Sequence, residues 1–287
     1  MLRSGTEYLM KTKKQFGQHW LRNEQVLDRI ITAAKITSTD RILEIGPGTG
    51  ILTRRLIPAA SAVVAVEIDR DLCALLVKKL GNVDNFLLLE NDFLGLDVDS
   101  VLNDFPQFQN ANKVVANIPY NITGPILEKL LGNIIHPAER PFDSIVLLVQ
   151  KEVGDRLYAK PSTKAFGALS IRVQYLANCE LICPVPARDF SPPPKVDSAV
   201  IRLTPRQLTL TPTSPKLLDN LVRLGFGTRR KMLRNNLQSA IDREALTELL
   251  ISMNINTEAR AEDLSVEQWI HLSNLVANLN QSLVVAP

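Results

Sequence analysis

From Arg41 to Leu203 the chain alternates short β-branched runs with stretches of helical periodicity, and few folds accommodate that alternation. It is the signature of a parallel sheet whose strands are joined by crossover helices. Strands are expected at Arg41–Ile45, Ala62–Ile68, Asn85–Leu89, Lys113–Ala116, Ser144–Gln150, Asn178–Cys183 and Ser198–Leu203, which makes a seven-stranded, Rossmann-like α/β sheet. Helices fill Asn23–Lys35, Gly50–Ile57, Arg70–Leu80, Gly124–Leu131, Lys151–Tyr158 and Phe166–Leu176. Only a Pro-rich loop separates the last two strands, too little for a crossover helix, so they are expected to pair antiparallel. Beyond Leu203 the texture changes. Thr204-Pro205, Thr211-Pro212 and Ser214-Pro215 form a turn-rich linker, followed by expected helices at Lys216–Gly225, Arg229–Gln238, Arg243–Met253 and Val266–Asn280. The 287 residues therefore divide into an α/β domain over residues 1–205 and a small all-helical domain over 206–287.

Composition bounds the function only loosely. An apolar content of 45% with 22% charged residues is that of a soluble globular protein. The excess of 33 basic over 30 acidic residues gives +3, so a nucleic-acid partner must be argued from local clusters. Cys73, Cys179 and Cys183 have no metal-ligand spacing with His19, His136 or His271, which excludes a metal site from this reading, and an odd count argues against a disulfide framework. Inert thiols in a reducing compartment fit better. Met1 to Trp20 lacks an apolar signal core and no run reaches transmembrane length, so a cytoplasmic protein with no membrane partner is expected, as a monomer.

The sequence Glu44-Ile45-Gly46-Pro47-Gly48-Thr49-Gly50 falls where the first strand turns into a helix, and its glycines let backbone approach a ligand closely. A dinucleotide fingerprint would need a small residue at position 51, where Ile51 stands, so a nicotinamide enzyme is disfavoured. Glu67 closes the second strand, and its two carboxylate oxygens can accept both hydroxyls of a ribose. Asp69 is read instead as the cap of the next helix. Asp92, in Glu90-Asn91-Asp92-Phe93 after the third strand, would accept from an adenine amino group along the same carboxyl edge. After the fourth strand comes Asn117-Ile118-Pro119-Tyr120. The Asn117 amide oxygen and the Ile118 carbonyl can each accept from an exocyclic NH2, while Pro119 fixes the turn and Tyr120 offers a flat face. Alone, the tetrapeptide is an ordinary strand-end turn. The series of polar groups closing four successive strands is far more specific.

That order, E-x-G-x-G-x-G, acid, Asp, N-I-P-Y, is similar to S-adenosylmethionine-dependent adenine-N6 methyltransferases. Lys14-Gln15-Phe16-Gly17-Gln18-His19-Trp20-Leu21, Gln150-Lys151-Glu152-Val153, the segment from Phe190 to Val200 (F-S-P-P-P-K-V-D-S-A-V) and the segment from Arg229 to Leu237 narrow the likeness. Together they resemble the ribosomal RNA adenine dimethyltransferase family, specifically its bacterial small-subunit, kasugamycin-resistance branch, over about residues 12 to 240. The resemblance implies cofactor contacts at His19 and Leu21 in an N-terminal segment (11–22), at Gly46 and Gly48, and at Glu67, Asp92 and Asn117. His19 stands where the family often has Asn, and Trp20 replaces a common Phe. It also implies N6,N6-dimethylation of two adjacent adenines in a 3′-terminal hairpin of 16S RNA, with the small ribosomal subunit as partner and ribosome biogenesis as context.

Adenine N6 is a poor nucleophile because its lone pair is delocalised into the ring. Asn117 and Ile118 are therefore read as positioners for in-line attack on the sulfonium methyl rather than as bases. Tyr120 and Phe190 are read as the two walls stacking on the extruded base. For RNA contact, Arg223, Arg229, Arg230, Lys231 and Arg234 form a stretch without acids, and Arg230 and Arg234 share a face at helical spacing. Lys11, Lys13 and Lys14 add a second basic stretch. Two other readings are a non-catalytic RNA-binding assembly factor and a large-subunit dimethyltransferase of the antibiotic-resistance kind. The segment from Arg229 to Leu237 is the feature that separates the latter.

Overall fold

The computed structural model describes residues 18–207 and 209–284. In chain order these form β1 (Trp20–Leu21), α1 (Glu24–Ala34), β2 (Arg41–Ile45), α2 (Thr53–Leu56), β3 (Ala62–Glu67), α3 (Arg70–Leu80), β4 (Phe86–Glu90), α4 (Val98–Val101), β5 (Lys113–Asn117), α5 (Thr123–Leu131), β6 (Ser144–Gln150), α6 (Lys151–Leu157), α7 (Ala168–Leu176), β7 (Ala177–Val185), β8 (Phe190–Ser191) and β9 (Ser198–Pro205). Four helices follow: α8 (Pro215–Gly225), α9 (Leu233–Asn236), α10 (Arg243–Ser252) and α11 (Val266–Val284). Seven strands make one sheet in the order β4-β3-β2-β5-β6-β9-β7. The first five are parallel. β9 runs antiparallel between β6 and β7, as the short Pro-rich connection requires.

The strands alternate their side chains between two cores. Leu43, Ile45, Val64 and Val66 join one apolar cluster, while Ile42, Val63 and Ala65 join the other on the opposite face. β3 is buried at every position, which explains its unbroken apolar run before Glu67. Helix starts follow local chemistry. The Asn23 side chain caps α1 by accepting from Gln25 and Val26 N–H, and Asp69 caps α3 by accepting from Asp71 N–H. The expected helix over Gly50–Ile57 contracts to the single turn α2, because the loop first turns through left-handed Gly46, Gly48 and Gly50. A Cβ on Gly50 would lie 2.8 Å from Leu76 Cδ2, so the turn also needs glycine for close packing on α3.

A third cluster is built by α8 to α11 around fully buried Trp269. It draws in Ile134, Ala159, Phe166 and Ile171 from ahead of residue 205, so the C-terminal helices share a core with the α/β part. Arg229–Gln238 is not a helix: a turn leads into the four-residue α9. Tertiary bonds override helical propensity. Leu233 N–H donates to Ala259 O, and the Asn236 amide donates to Gly225 O and Thr228 O, pinning the segment as a loop.

β8, inside the β7–β9 connection, pairs antiparallel with β1. Arg22 N–H donates to Asp189 O, and the Asn23 amide donates to Asp189 Oδ2. These contacts pin the N-terminal segment across the carboxyl ends of β2, β3 and β5, where it roofs a cavity. Among the described residues, no helix is long and apolar enough to cross a membrane.

Candidate active site

The cavity is lined by Gln18 to Leu21 from the roof, by Glu44 to Thr49 from β2 and the glycine loop, and by Glu67, Ile68, Asn91, Phe93 and Asn117 to Tyr120 from the ends of β3, β4 and β5. Gly46 and Gly48 take φ of 68° and 60°, values that β-carbon-bearing residues rarely adopt, and a Cβ on Gly48 would sit 3.4 Å from the Trp20 ring. This leaves an open backbone cradle between the loop and the roof. Glu67 is held by three backbone donors: Gly48 N–H reaches Oε2 (3.1 Å), while Ile68 and Asp69 N–H reach Oε1 (3.0 and 2.9 Å). Oε1 thus accepts two N–H groups already, while Oε2 retains a lone pair for a ligand hydroxyl. Burial lifts this carboxyl above the usual range, against the pull of those N–H groups.

Glu44 behaves differently. It is 1% exposed and lines the cavity, and its Oε2 has no hydrogen-bond partner. Burial pushes its carboxyl from the ordinary 4.5 up to about 8, and the neighbouring Glu67 charge adds to the rise. In sequence, Glu44 is not distinguished from the glycine-loop motif that it opens. The available signal was an acid inside the otherwise apolar run Ile42-Leu43-Glu44-Ile45. Because the folded carboxyl titrates higher than the unfolded one, the native state holds the extra proton between about pH 4.5 and 8. Stability then falls as pH rises through that window, by at most ~1.4 kcal/mol per pH unit, and levels off above it. Glu44→Gln is expected to remove this slope, so the variant's melting temperature gains on the parent's as pH rises. Parallel melting curves across the window would show that Glu44 is charged when folded.

At the end of β5, Asn117 Nδ2 donates to the His19 carbonyl at 3.3 Å, which leaves Oδ1 as the acceptor. Ile118 is buried and lines the same cavity. The Tyr120 hydroxyl pairs with Ser198 Oγ at 2.7 Å, and its ring lies parallel to the His19 imidazole, centroids 6.0 Å apart and planes at 17°. His19 Nδ1 donates to Pro192 O at 2.8 Å, so the side chain braces the roof against the Pro-rich loop while its backbone sets the Asn117 amide.

Of the expected site residues, His19, Leu21, Gly46, Gly48, Glu67, Asn117, Ile118 and Tyr120 come together around this one cavity. Asp92 does not line it. Its Oδ1 accepts from Leu94 N–H in an exposed turn, and its neighbours Asn91 and Phe93 face the cavity instead. Phe190 is also displaced from its expected role. At 3% exposure it packs in the core beneath β1, paired with Leu21, and presents no face to the cavity. Gln18 and Trp20 complete the roof, Gln18 by donating to Asp69 Oδ2 at 2.8 Å. Their place was hidden in sequence because it depends on the β1–β8 pairing.

The basic stretch is likewise only partly available. Arg229 donates to the Lys164 carbonyl and to Glu262, and Arg234 keeps its Nε buried. Arg223 is exposed and donates to Asn220, while Arg230 and Lys231 are exposed. Arg230 and Arg234 do not share a helical face, since only Arg234 is in α9. Lys11, Lys13 and Lys14 lie outside the described residues.

A glycine-loop cradle with a buried acid at the carboxyl edge of this sheet, and an N-I-P-Y turn facing the same space, define an S-adenosylmethionine-dependent methyltransferase. The chain belongs to the ribosomal RNA adenine dimethylase family, whose model matches residues 9–278. It is 64% identical over 268 residues to a ribosomal RNA small subunit methyltransferase A of a Nostoc species, covering 93% of this chain and 99% of the relative. It is 57% identical over 266 residues to the protein of the same name in Acaryochloris marina, covering 93% and 97%. The fold matches a dimethyladenosine transferase from Plasmodium falciparum with a TM-score of 0.73 at 27% identity, over 92% of this chain and 98% of that one. It also matches the 23S rRNA methyltransferase ErmE with a TM-score of 0.71 at 26% identity, over 90% and 99%.

Proposed function

We propose that the chain dimethylates N6 of two adjacent adenines in the 3′-terminal hairpin of 16S ribosomal RNA, acting in the cytoplasm, as a monomer, during small-subunit biogenesis. The observation that carries the chemistry is the Asn117 amide, turned by the His19 carbonyl so that Oδ1 remains to accept from an adenine NH2. The small-subunit assignment is supported by the identity levels: relatives named for the small subunit share 57–64% of residues, against 26% for the 23S enzyme. Retention of the whole cavity speaks against a purely non-catalytic assembly factor.

Gly46 and Gly48 would let the protein backbone approach the cofactor closely, Glu67 would accept from its ribose, and the turn carrying Asp92 would border its base. When bound, S-adenosylmethionine supplies an electrophilic methyl group on sulfur. Asn117 Oδ1 and the Ile118 carbonyl accept from the adenine amino group and favour its pyramidal form with a localised lone pair. The Tyr120 ring, fixed by Ser198, stacks on the base. No general base is required, because the alkylated nitrogen is acidic and releases its proton to water. Residues 206–287 would form the ribosome-facing domain, with Arg223 on α8 and Arg230 and Lys231 on the following loop toward phosphate, and Arg229 bracing that loop. Binding through such contacts weakens with salt.

The test is to incubate the protein and S-adenosylmethionine with undermethylated small subunits and to look for dimethyladenosine by mass spectrometry. New dimethyladenosine in the small-subunit RNA is expected. Labelling of large subunits instead, or no transfer at all, would overturn the reading.

A further inference from the structure

The side chain of Lys129 projects from α5, the helix that begins immediately after the N-I-P-Y turn, and reaches the loop that follows β4. Its ammonium group donates to the carbonyls of Phe93 (2.6 Å), Leu94 (3.1 Å) and Leu96 (2.5 Å). Three acceptors saturate the three protons of a lysine. The same nitrogen lies 4.9 Å from the centroid of the Phe93 ring. Phe93 is buried and lines the cofactor cavity, whereas Lys129 lies on the far side of that ring.

The loop is also anchored by Phe93 and Leu96 in the core and by Asn91 N–H donating to Glu67 O, but its outward carbonyls are held by Lys129. From within, Asp92 Oδ1 accepts from Leu94 N–H and Asp92 O accepts from Leu96 N–H. Gly95 at its apex meets nothing within 4 Å of where a Cβ would stand. Its carbonyls converge on one point outside the turn, and carbonyl dipoles brought together repel unless a cation sits among them. Partial burial draws the Lys129 ammonium below its ordinary range, and the Asp92 and Asp97 carboxylates nearby oppose that shift. An uncharged side chain at 129 would leave the carbonyls to water and the Phe93 ring without its counterpart.

We infer that Lys129 is a positioning residue for the cofactor's adenine, clamping the loop from Asn91 to Leu96 so that Asn91 and Phe93 keep their places at the cavity. This rests on the cofactor reading given above. It also makes α5 a strut between two parts of the site: its first turn follows Tyr120, and its last turn holds the wall that faces the cofactor base.

The experiment measures equilibrium binding of S-adenosylhomocysteine and of its inosine analogue, which lacks the adenine amino group, by calorimetry on the full chain. Parent, Lys129→Met and Lys129→Arg are compared, with melting temperature as a control. Lys129→Met is expected to bind S-adenosylhomocysteine about tenfold more weakly, the loss of one charge-assisted contact's worth of order. It should also discriminate less between the two ligands, because both changes act on the same wall. KM for S-adenosylmethionine should rise with little change in kcat, and Lys129→Arg should restore part of the affinity. Unchanged affinity in Lys129→Met, or an equal loss for both ligands, would overturn the inference. A parent protein that binds neither ligand would overturn the cofactor reading and this inference with it, whereas a binding parent with an unaffected variant defeats this inference alone.

Discussion

Asn117→Ala is expected to slow single-turnover methyl transfer by about 10²–10³-fold, the range seen when one preorganised polar contact to a reacting group is removed. The side chain contributes the acceptor Oδ1, and alanine leaves only the Ile118 carbonyl to orient the amino group. Cofactor affinity should fall much less, because Glu67 and the glycine loop are untouched. Asn117→Asp is the sharper comparison. Aspartate keeps an acceptor oxygen, but it sets a carboxylate oxygen against the His19 carbonyl, where the native amide donates at 3.3 Å. It should therefore be impaired as well, which a simple need for an oxygen at this position does not predict. Rapid-quench measurement with saturating cofactor and RNA separates these cases. Full turnover by Asn117→Ala would remove the positioning mechanism.

Glu67→Ala should have its large effect on binding instead. The parent carboxylate satisfies the Gly48, Ile68 and Asp69 N–H groups at the neck of the cavity. Removing it takes away the ribose acceptors and leaves those donors without a partner, each such loss costing roughly 1–3 kcal/mol. A fall in S-adenosylhomocysteine affinity of at least about 100-fold is expected by calorimetry, two factors of ten at ~1.4 kcal/mol each. Glu67→Gln should not rescue it. If the amide oxygen faces Ile68 and Asp69, the amide NH2 faces Gly48 N–H, donor against donor. Affinity within a few-fold of the parent in either variant would exclude Glu67 from the ribose contact.

Most of the sheet was legible because strand and helix periodicity is a local property, and these strands are either buried throughout, like β3, or bounded by turns. Strand ends moved by a residue or two, as at Ala177–Val185, without altering the order. The helix expected over Arg229–Gln238 failed for a definable reason: Asn236 and Leu233 find partners in Gly225, Thr228 and Ala259, and these bonds outweigh a run of good helix formers. Phe190, read as the second stacking wall, is turned into the core by the pairing of its strand with Leu21, a contact that no local pattern marks. Asp92 was placed at the correct strand end, yet its side chain caps its own turn, a choice made by Leu94 N–H.

By itself the sequence determined the α/β order, the glycine loop, the acid closing β3 and the N-I-P-Y turn closing β5. Each follows from short-range rules: side-chain periodicity, left-handed glycines, and the rigidity of proline. The tertiary structure alone decided how those groups are aimed. Asn117 takes its orientation from a carbonyl 98 residues earlier in the chain, and Tyr120 takes its hydroxyl partner 78 residues later. The basic stretch loses Arg229 to Lys164 and Glu262 by the same kind of long-range bond. Such contacts are set by packing between segments that no local pattern relates, because a hydrogen bond depends on distance in space and periodicity records only distance along the chain.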